Sequence, residues 1–342
     1  MQKKIIALAV AALASSAAFA QSNVTVYGIA DMYVGRISGD SIQSTTQVNG
    51  GGLSTSRLGF KGSEDLGNGL KALFQYETAI NIDEQSVAAG NSGLFGANRT
   101  SMVGLSGNFG TVVAGRLQTT GYDWAVKYDV LAGTAISPLQ NVNTTNAATR
   151  PFANSASGFL IGGTAVAARA DNAVAYISPN MSGVTLAANY TTNVVGADTV
   201  DLNGANRTNS GAYLLSANYE NGPLAAGVVY AQNNNTNAAV VGLPKRKDWS
   251  IGANYNFGVA KVFGTYQTTK ATGDGVVGVA GNTDKAWSLG VAAPVTAAGT
   301  VIASYAKGSY DTVAAPTGGL DVAKSWTVAY THGLSKRTTA YA

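Results

Sequence analysis

The stretch Lys247-Asp248-Trp249-Ser250-Ile251-Gly252-Ala253-Asn254-Tyr255-Asn256-Phe257 alternates between apolar and polar side chains. Apolar residues fill the odd-numbered positions from 249 to 257, whereas polar residues or glycine fill the positions between them. Because successive side chains of a β-strand point to opposite faces, this pattern predicts a strand with one apolar and one polar face. The same alternation recurs at residues 70–77, 184–191 and 325–331, so the chain is predicted to be rich in β-strands.

The connections between these segments alternate in length. Short turns such as Asp65-Leu66-Gly67-Asn68-Gly69 alternate with long polar loops such as residues 38–53 and 193–208. Short turns at one end of the strands and long loops at the other are typical of outer-membrane β-barrels. A soluble sandwich would need a buried apolar core, whereas these segments keep one face polar. The sequence therefore favours a barrel that faces lipid.

About fourteen strands are complete in the chain and a fifteenth begins at Lys336. Since single-chain bacterial barrels have even strand numbers, we expect an all-β fold, a transmembrane antiparallel β-barrel of sixteen strands. Residues 21–342 would then form a C-terminally incomplete barrel. The predicted strands are 23–37, 54–64, 69–82, 98–107, 110–117, 169–179, 183–193, 209–219, 223–233, 247–257, 260–270, 285–294, 299–308 and 323–332.

Residues 1–20 have the pattern of a secretory signal peptide. Lys3 and Lys4 precede an apolar run of roughly ten residues, and Ala18-Phe19-Ala20 supplies a small-residue cleavage site. The run is too short for a transmembrane helix, which needs about 20 apolar residues. We therefore expect an exported protein whose mature chain begins at Gln21.

The composition excludes several classes of function. The chain has no cysteine and one histidine, His332, which rules out disulfide scaffolds, cysteine nucleophiles and a histidine-based metal cluster. Charged residues make up 12% of the chain, about half the usual share of a soluble domain. Without Lys3 and Lys4 the mature chain has 20 basic against 18 acidic residues, an excess too small to indicate nucleic-acid binding. No metal and no cofactor are expected.

Residues 118–168 form a segment of about fifty residues between the fifth and sixth predicted strands, far longer than an ordinary hairpin connection. We expect this segment to fold into the lumen and narrow the channel, because small and polar residues can be solvated there. The alternative is a disordered loop outside the barrel.

Several motifs give the chain a family resemblance. They are Val26-Tyr27-Gly28-Ile29-Ala30-Asp31, the first-hairpin stretch 56–72 (SRLGFKGSEDLGNGLKA), Asn98-Arg99-Thr100-Ser101-Met102-Val103-Gly104-Leu105, Gly115-Arg116 and Gly121-Tyr122-Asp123. With these motifs the chain resembles the trimeric general-diffusion porins of Gram-negative outer membranes, in the form typical of beta-proteobacteria. It departs from the family in two respects: Ala342 is not the terminal aromatic residue, and residues 124–150 lack the acidic Pro-Glu-Phe-Gly-Gly motif of enteric members.

The resemblance implies a row of basic residues on the barrel wall at the constriction. The matching positions are Arg57, Arg99 and Arg169. The alternation along the second predicted strand supports an Arg57 side chain that points into the lumen, because Leu58 and Phe60 are apolar and are expected to face lipid. An arginine side chain facing lipid at the bilayer midplane would cost about 2–4 kcal/mol. Arg99 and Arg169 could instead be solvated strand ends above the membrane rim.

The resemblance also implies acids on the inward loop that face the basic row. Asp129 is the first candidate and Asp123 the second, although either could be a hydrogen-bonding acid that anchors the loop. The alternation around Arg116 does not decide which face of the barrel wall its side chain takes. Arg116 either lines the lumen or contacts Glu84 on the second loop of a neighbouring protomer.

These features predict a function in passive transport. We expect a water-filled channel for small hydrophilic solutes and ions, mildly anion-selective, which acts as a homotrimer among the lipid and lipopolysaccharide of the outer membrane. The alternatives are a solute-specific channel, or a surface protein whose long loops serve adhesion or phage attachment. Catalysis is not expected, since a hydrolase would need a histidine-assisted nucleophile and His332 lies in a short turn.

Overall fold

The computed structural model describes most of residues 23–342, and these include two short helices. Helix α1 spans Thr120–Tyr128 and helix α2 spans Pro138–Asn143. Within the described ranges, no helix is long and apolar enough to cross a membrane. The expected signal peptide at residues 1–20 lies outside these ranges. The structure describes residues 23–39, 42–83, 95–143, 160, 168–192, 210–235, 245–272, 283–310 and 322–342.

Fifteen strands form one antiparallel sheet in the order β1, β4 and then β5 to β17, and β2 pairs with β3 in a separate hairpin. The prediction of about fourteen strands and the start of another is confirmed for the described residues. The strands are β1 (Asn23–Ile29), β2 (Met32–Gly39), β3 (Ile42–Gly50), β4 (Arg57–Gly67), β5 (Leu70–Ile80), β6 (Phe95–Gly107), β7 (Gly110–Gln118), β8 (Arg169–Ile177), β9 (Val184–Thr191), β10 (Ser210–Asn221), β11 (Leu224–Asn235), β12 (Lys245–Asn256), β13 (Lys261–Thr272), β14 (Thr283–Pro294), β15 (Gly299–Ser309), β16 (Val322–Gly333) and β17 (Thr339–Tyr341).

The predicted first strand, 23–37, is interrupted at Ala30 and Asp31, and its second half forms β2 in a separate hairpin. The polar loop predicted at 38–53 is wrong for residues 42–50, which form β3. The chain leaves the main sheet at Asp31 and continues into the β2–β3 hairpin. The Asp31 carboxylate accepts hydrogen bonds from the backbone N–H groups of Gly52, Leu53 and Ser54 at 3.2, 2.9 and 2.7 Å. These bonds fix both ends of the hairpin at one residue, which strand periodicity alone does not reveal.

The main sheet has apolar side chains on its outer face and polar side chains on its inner face, the reverse of the arrangement in a soluble protein. On the outer face, Val103 is 65% exposed and Trp326 is 73% exposed. On the inner face, the polar side chains of Gln267 and Thr269 are 0% and 1% exposed. Because apolar side chains gain by contact with lipid and polar ones by contact with the lumen, the fold is a transmembrane β-barrel.

The last strand of the sheet ends close to the residues that directly follow the first strand. The hydroxyl of Tyr341, in β17, donates hydrogen bonds to Asp31 Oδ1 and to the carbonyl oxygen of Met32. These contacts join residues more than 300 positions apart in sequence, so the sheet curves round a single axis.

The first hairpin confirms the tight turn predicted from its sequence. Asn68 and Gly69, between β4 and β5, have φ angles of 53° and 78°. Two consecutive positive φ angles match the twist of the flanking strands, and only glycine and a few polar residues adopt them readily.

Candidate constriction site

Two of the predicted basic residues meet at one acid on the inner wall. Arg99 Nε lies 2.6 Å from Glu77 Oε1, and Arg57 Nη1 lies 3.9 Å from the same oxygen. Tyr27 donates a hydrogen bond of 3.0 Å to Glu77 Oε2. Glu77 was not among the predicted site residues, although the alternation of β5 places it on the polar face. The cluster holds the two guanidinium groups in fixed positions beside the lumen.

A glycine makes room for the tyrosine of this cluster. Gly59 lies directly opposite Tyr27 in β1 and opposite Glu77 in β5, so all three share the inner face. A Cβ atom on Gly59 would overlap the ring of Tyr27. Gln75 Nε2 donates a 2.6 Å hydrogen bond to the Tyr27 hydroxyl, which completes the network around Glu77.

A β-bulge directs Arg99 inward. Val103 and Ser101 lie opposite Phe74 and Tyr76, on the outer face, and strict alternation along β6 would place Arg99 on that face too. The register shifts after Glu77, which pairs with Thr100, because Thr78 pairs with Asn98 and leaves Arg99 as the extra residue. Bulges commonly re-aim a side chain in this way, and here the bulge brings Arg99 to Glu77.

The third predicted basic residue, Arg169, packs against the start of α1. Its guanidinium carbon lies 4.6 Å from the centre of the Tyr122 ring, and its Nη2 donates a 3.3 Å hydrogen bond to Gln118 Oε1. Gln118 in turn donates to the carboxylate of Asp123. The structure therefore links Arg169 to Asp123 through one amide side chain, a connection that the sequence did not indicate.

Asp129 lies apart from the arginines. Its side chain is 3% exposed and accepts hydrogen bonds from Ser137 Oγ at 3.0 Å and from the backbone N–H groups of Val130 and Leu131. Burial raises the pKa of its carboxyl group to about 6, and these hydrogen bonds partly offset the rise. These contacts are those of an acid that anchors the segment joining α1 to α2.

The segment around α1 and α2 packs on the polar face of the sheet. Trp124 Nε1 donates to the carbonyl oxygen of Gly227 at 3.1 Å, and Tyr128 donates to Asn218 Oδ1 at 3.0 Å. Further bonds from strand side chains hold the rest of the segment. They run from Asn254 Nδ2 to Lys127 O at 2.8 Å, from Thr327 Oγ1 to Ile136 O at 2.7 Å, and between Asn143 Nδ2 and Gln267 Oε1 at 3.1 Å.

Arg116 takes the outer side of the wall. It lies opposite Ser101 and continues the row of Val112 and Ala114, which face outward. Its Nη1 forms an ion pair with Asp171, and its Nε donates a 2.7 Å hydrogen bond to the carbonyl oxygen of Asn98. The other residue of the predicted contact between protomers, Glu84, lies outside the described residues.

A family model described as a Gram-negative porin matches residues 7–342. Over its full length the chain is 38% identical to outer membrane porin protein 32 of Delftia acidovorans and covers 88% of that protein. It is also 30% identical over its full length to an outer membrane porin protein of Bordetella pertussis, of which it covers 93%.

Two solved structures show the same architecture. The anion-selective porin from Comamonas acidovorans matches with a TM-score of 0.73 at 32% identity, over 94% of this chain and 87% of that one. OmpF of Salmonella typhi matches with a TM-score of 0.66 at 16% identity, over 93% and 88% of the two chains, a likeness of fold alone. The chain therefore belongs to the Gram-negative porin family and is an outer-membrane β-barrel through which small hydrophilic solutes diffuse passively.

Proposed function

We propose that this porin is a mildly anion-selective general-diffusion channel with no catalytic activity. The observation that carries the proposal is the charge balance of the candidate site. Arg57, Arg99 and Arg169 supply three positive charges, and Glu77 and Asp123 supply two negative ones, which leaves an excess of +1. A fixed positive excess in a narrow aqueous path raises the local concentration of anions.

Screening does not remove this field at moderate salt. The Debye length is about 10 Å at 0.1 M salt, comparable with the width of a constriction, so charges on its wall act on an ion in transit. Selectivity is therefore expected to be strongest at low ionic strength. The relative from Comamonas acidovorans is described as anion-selective, which agrees with this direction.

The segment 118–168 is proposed to form the constriction. Its described part, residues 118–143, 160 and 168, supports this role because Trp124, Tyr128 and Asn143 bond to residues of the polar face. Lys127 adds no net charge, since it forms an ion pair of 2.7 Å with Glu220. Asp129 contributes less than an exposed acid would, because it is buried and hydrogen-bonded within the segment.

We also propose that the channel is a homotrimer. The first strands carry small or modest residues on their outer side, including Gly28, Ala30, Val103 and Leu105, so other protomers can pack closely on this wall. Arg116 and Glu84 remain the candidate pair across the interface, with Arg116 sharing its charge with Asp171. Chemical cross-linking in native membranes should give trimers, and a yield of monomers alone would contradict the trimer.

The N-terminal segment is proposed to be a cleaved signal. Sequencing of the purified protein should begin at Gln21. Retention of Met1 or Lys3 in protein from the outer membrane would refute cleavage.

Planar-bilayer recording tests the channel itself. A general-diffusion pore should show stepwise insertions whose conductance rises with KCl concentration without saturating. Saturation at low concentration, with block by one class of solute, would favour the solute-specific channel.

A further inference from the structure

Five lysines stand at one level on the outer face of β12 to β16. Each lies two residues inside the end of its strand, at the end where the long loops connect. This end is the extracellular one in outer-membrane barrels, where turns on the periplasmic side are short. We call these residues the lysine band; its members are Lys247, Lys270, Lys285, Lys307 and Lys324.

The strand register places the band on the lipid-facing side. Two residues further into the membrane, Lys247 is followed by Trp249 and Lys285 by Trp287. Lys324 is followed in the same way by Trp326, which is 73% exposed. Trp and Tyr collect at membrane–water interfaces, so the band lies just above the aromatic belt of the outer leaflet.

The band runs parallel to the membrane plane. Across four strand-to-strand steps, its register slips by four residues, since Lys285 lies opposite Thr268 and Lys307 opposite Trp287. The band therefore shifts by about 13 Å along the strands while it crosses about 19 Å of sheet. It is inclined by about 35° to the line that runs perpendicular to the strands. An inclination of this size lies within the usual tilt of strands in such barrels, about 35–45°, so a slip of four residues is what a band parallel to the membrane requires.

The band carries unbalanced positive charge. Lys247 lies directly opposite Lys270, and Lys307 directly opposite Lys324. Like charges in directly opposed positions destabilise a sheet unless counter-charges neutralise them. None of the five forms an ion pair with another side chain among the residues that the structure describes. The adjacent Asp248 is 3% exposed and points to the opposite face.

We propose that the lysine band is a binding site for the phosphate groups of the anionic glycolipid in the outer leaflet. Long lysine side chains at the membrane rim can extend their ammonium groups to headgroup level while their stems stay against lipid. A row of such groups on neighbouring strands matches a headgroup with more than one phosphate, and the belt below it packs on the acyl chains. The bound lipid supplies the counter-charge that the opposed lysines need.

The test uses the full-length porin in neutral detergent, titrated with bisphosphorylated lipid A and with its dephosphorylated form. The variant Lys285→Gln/Lys307→Gln/Lys324→Gln should weaken binding of the bisphosphorylated lipid by about tenfold or more. Its affinity for the dephosphorylated lipid should equal that of the unmodified protein. The matched control, Lys71→Gln/Lys336→Gln/Arg337→Gln, removes the same charge at the short-turn end and should bind as the unmodified protein does.

Single-channel conductance provides an independent readout. The three lysines lie on the outer face, so the triple variant should keep the conductance and ion selectivity of the unmodified protein, which shows that it folds. Equal affinity of the triple variant and the unmodified protein for the bisphosphorylated lipid would overturn the proposal. So would a loss of affinity that the control variant shares, because the effect would then reflect net charge alone.

Discussion

Arg99 Nε and Glu77 Oε1 are 2.6 Å apart, and Arg57 Nη1 approaches the same oxygen at 3.9 Å. One carboxylate thus positions two guanidinium groups on the inner wall. Two cationic side chains therefore face one acid in this cluster. In the proposed channel, Glu77 is then one of the two acids that offset the positive charge of the wall.

Replacing this acid should strengthen the preference for anions. Glu77→Gln keeps the shape of the side chain and removes one negative charge, so the anion-to-cation permeability ratio should rise by about twofold at 0.1 M KCl. Zero-current potentials measure the ratio. Glu64→Gln, on the outer side of β4, is the matched control and should leave the ratio unchanged. An unchanged ratio in Glu77→Gln would show that Glu77 does not act on ions in transit.

A second prediction concerns the packing of α1 against β12. A Cβ atom on Gly252 would lie 2.5 Å from Tyr128 Cβ, closer than side chains approach, so Gly252→Ala should push the helix off the wall at a cost of about 1–3 kcal/mol. Single-channel conductance should change as the segment moves. Gly264→Ala is the control, because its Cβ would meet only Leu289 at 3.5 Å. Identical conductance in both variants would argue against a constriction formed by this segment.

Asp129 should make stability depend on pH. Its carboxyl has a pKa of about 6 in the folded protein and an ordinary value of 3.8, so folding favours the protonated form. The resulting stabilisation is complete below pH 3.8 and is lost as the pH rises through 6, a difference of about 3 kcal/mol.

This dependence can be isolated with Asp129→Asn, which cannot ionise. Between pH 4 and pH 7, the thermal unfolding midpoint of the unmodified protein should fall relative to that of the variant. Asp65→Asn, at the exposed end of β4 beside the turn to β5, serves as the comparison and should follow the unmodified protein. Parallel curves for the unmodified protein and Asp129→Asn would contradict the assignment.

A fourth prediction concerns the point where the chain leaves the main sheet. Asp31→Ala would leave three backbone N–H groups without their acceptor and remove a partner of Tyr341, so unfolding should become easier by about 2 kcal/mol or more. Heat-modifiability on gels measures the change. Asp65→Ala removes one 2.9 Å bond to Gly67 N in an exposed turn and should have a smaller effect. Equal losses would show that Asp31 has no special role.

The sequence predicted the barrel and the inward Arg57 because both depend on strand alternation, which the structure preserves from Arg57 to Phe60. It could not predict how Arg99 reaches the lumen, since a one-residue bulge inverts the face and leaves no mark in the periodicity. Strand β3 was predicted as loop because its residues are mostly polar, and most of β2 was predicted as a continuation of the first strand. The position of the β2–β3 hairpin depends on long-range bonds to Asp31.

The proposed constriction also shows where sequence reasoning stops. Polar composition suggested that the segment 118–168 folds inward, but the bonding of Asp129 to Ser137 depends on the local turn between α1 and α2. The alternation along residues 70–77 correctly predicted that Glu77 lies on the polar face of its strand. Its role became visible only through the cross-strand register that sets it beside both arginines.

The zero-current potential across a tenfold KCl gradient tests the central claim most directly. The unmodified porin should give the sign of an anion-selective pore, Arg57→Ala should reduce the potential, and Arg57→Ala/Arg169→Ala should reduce it most. Lys336→Ala, in a short turn, should leave it unchanged. A potential of the cation-selective sign that does not respond to Arg57→Ala would contradict the account.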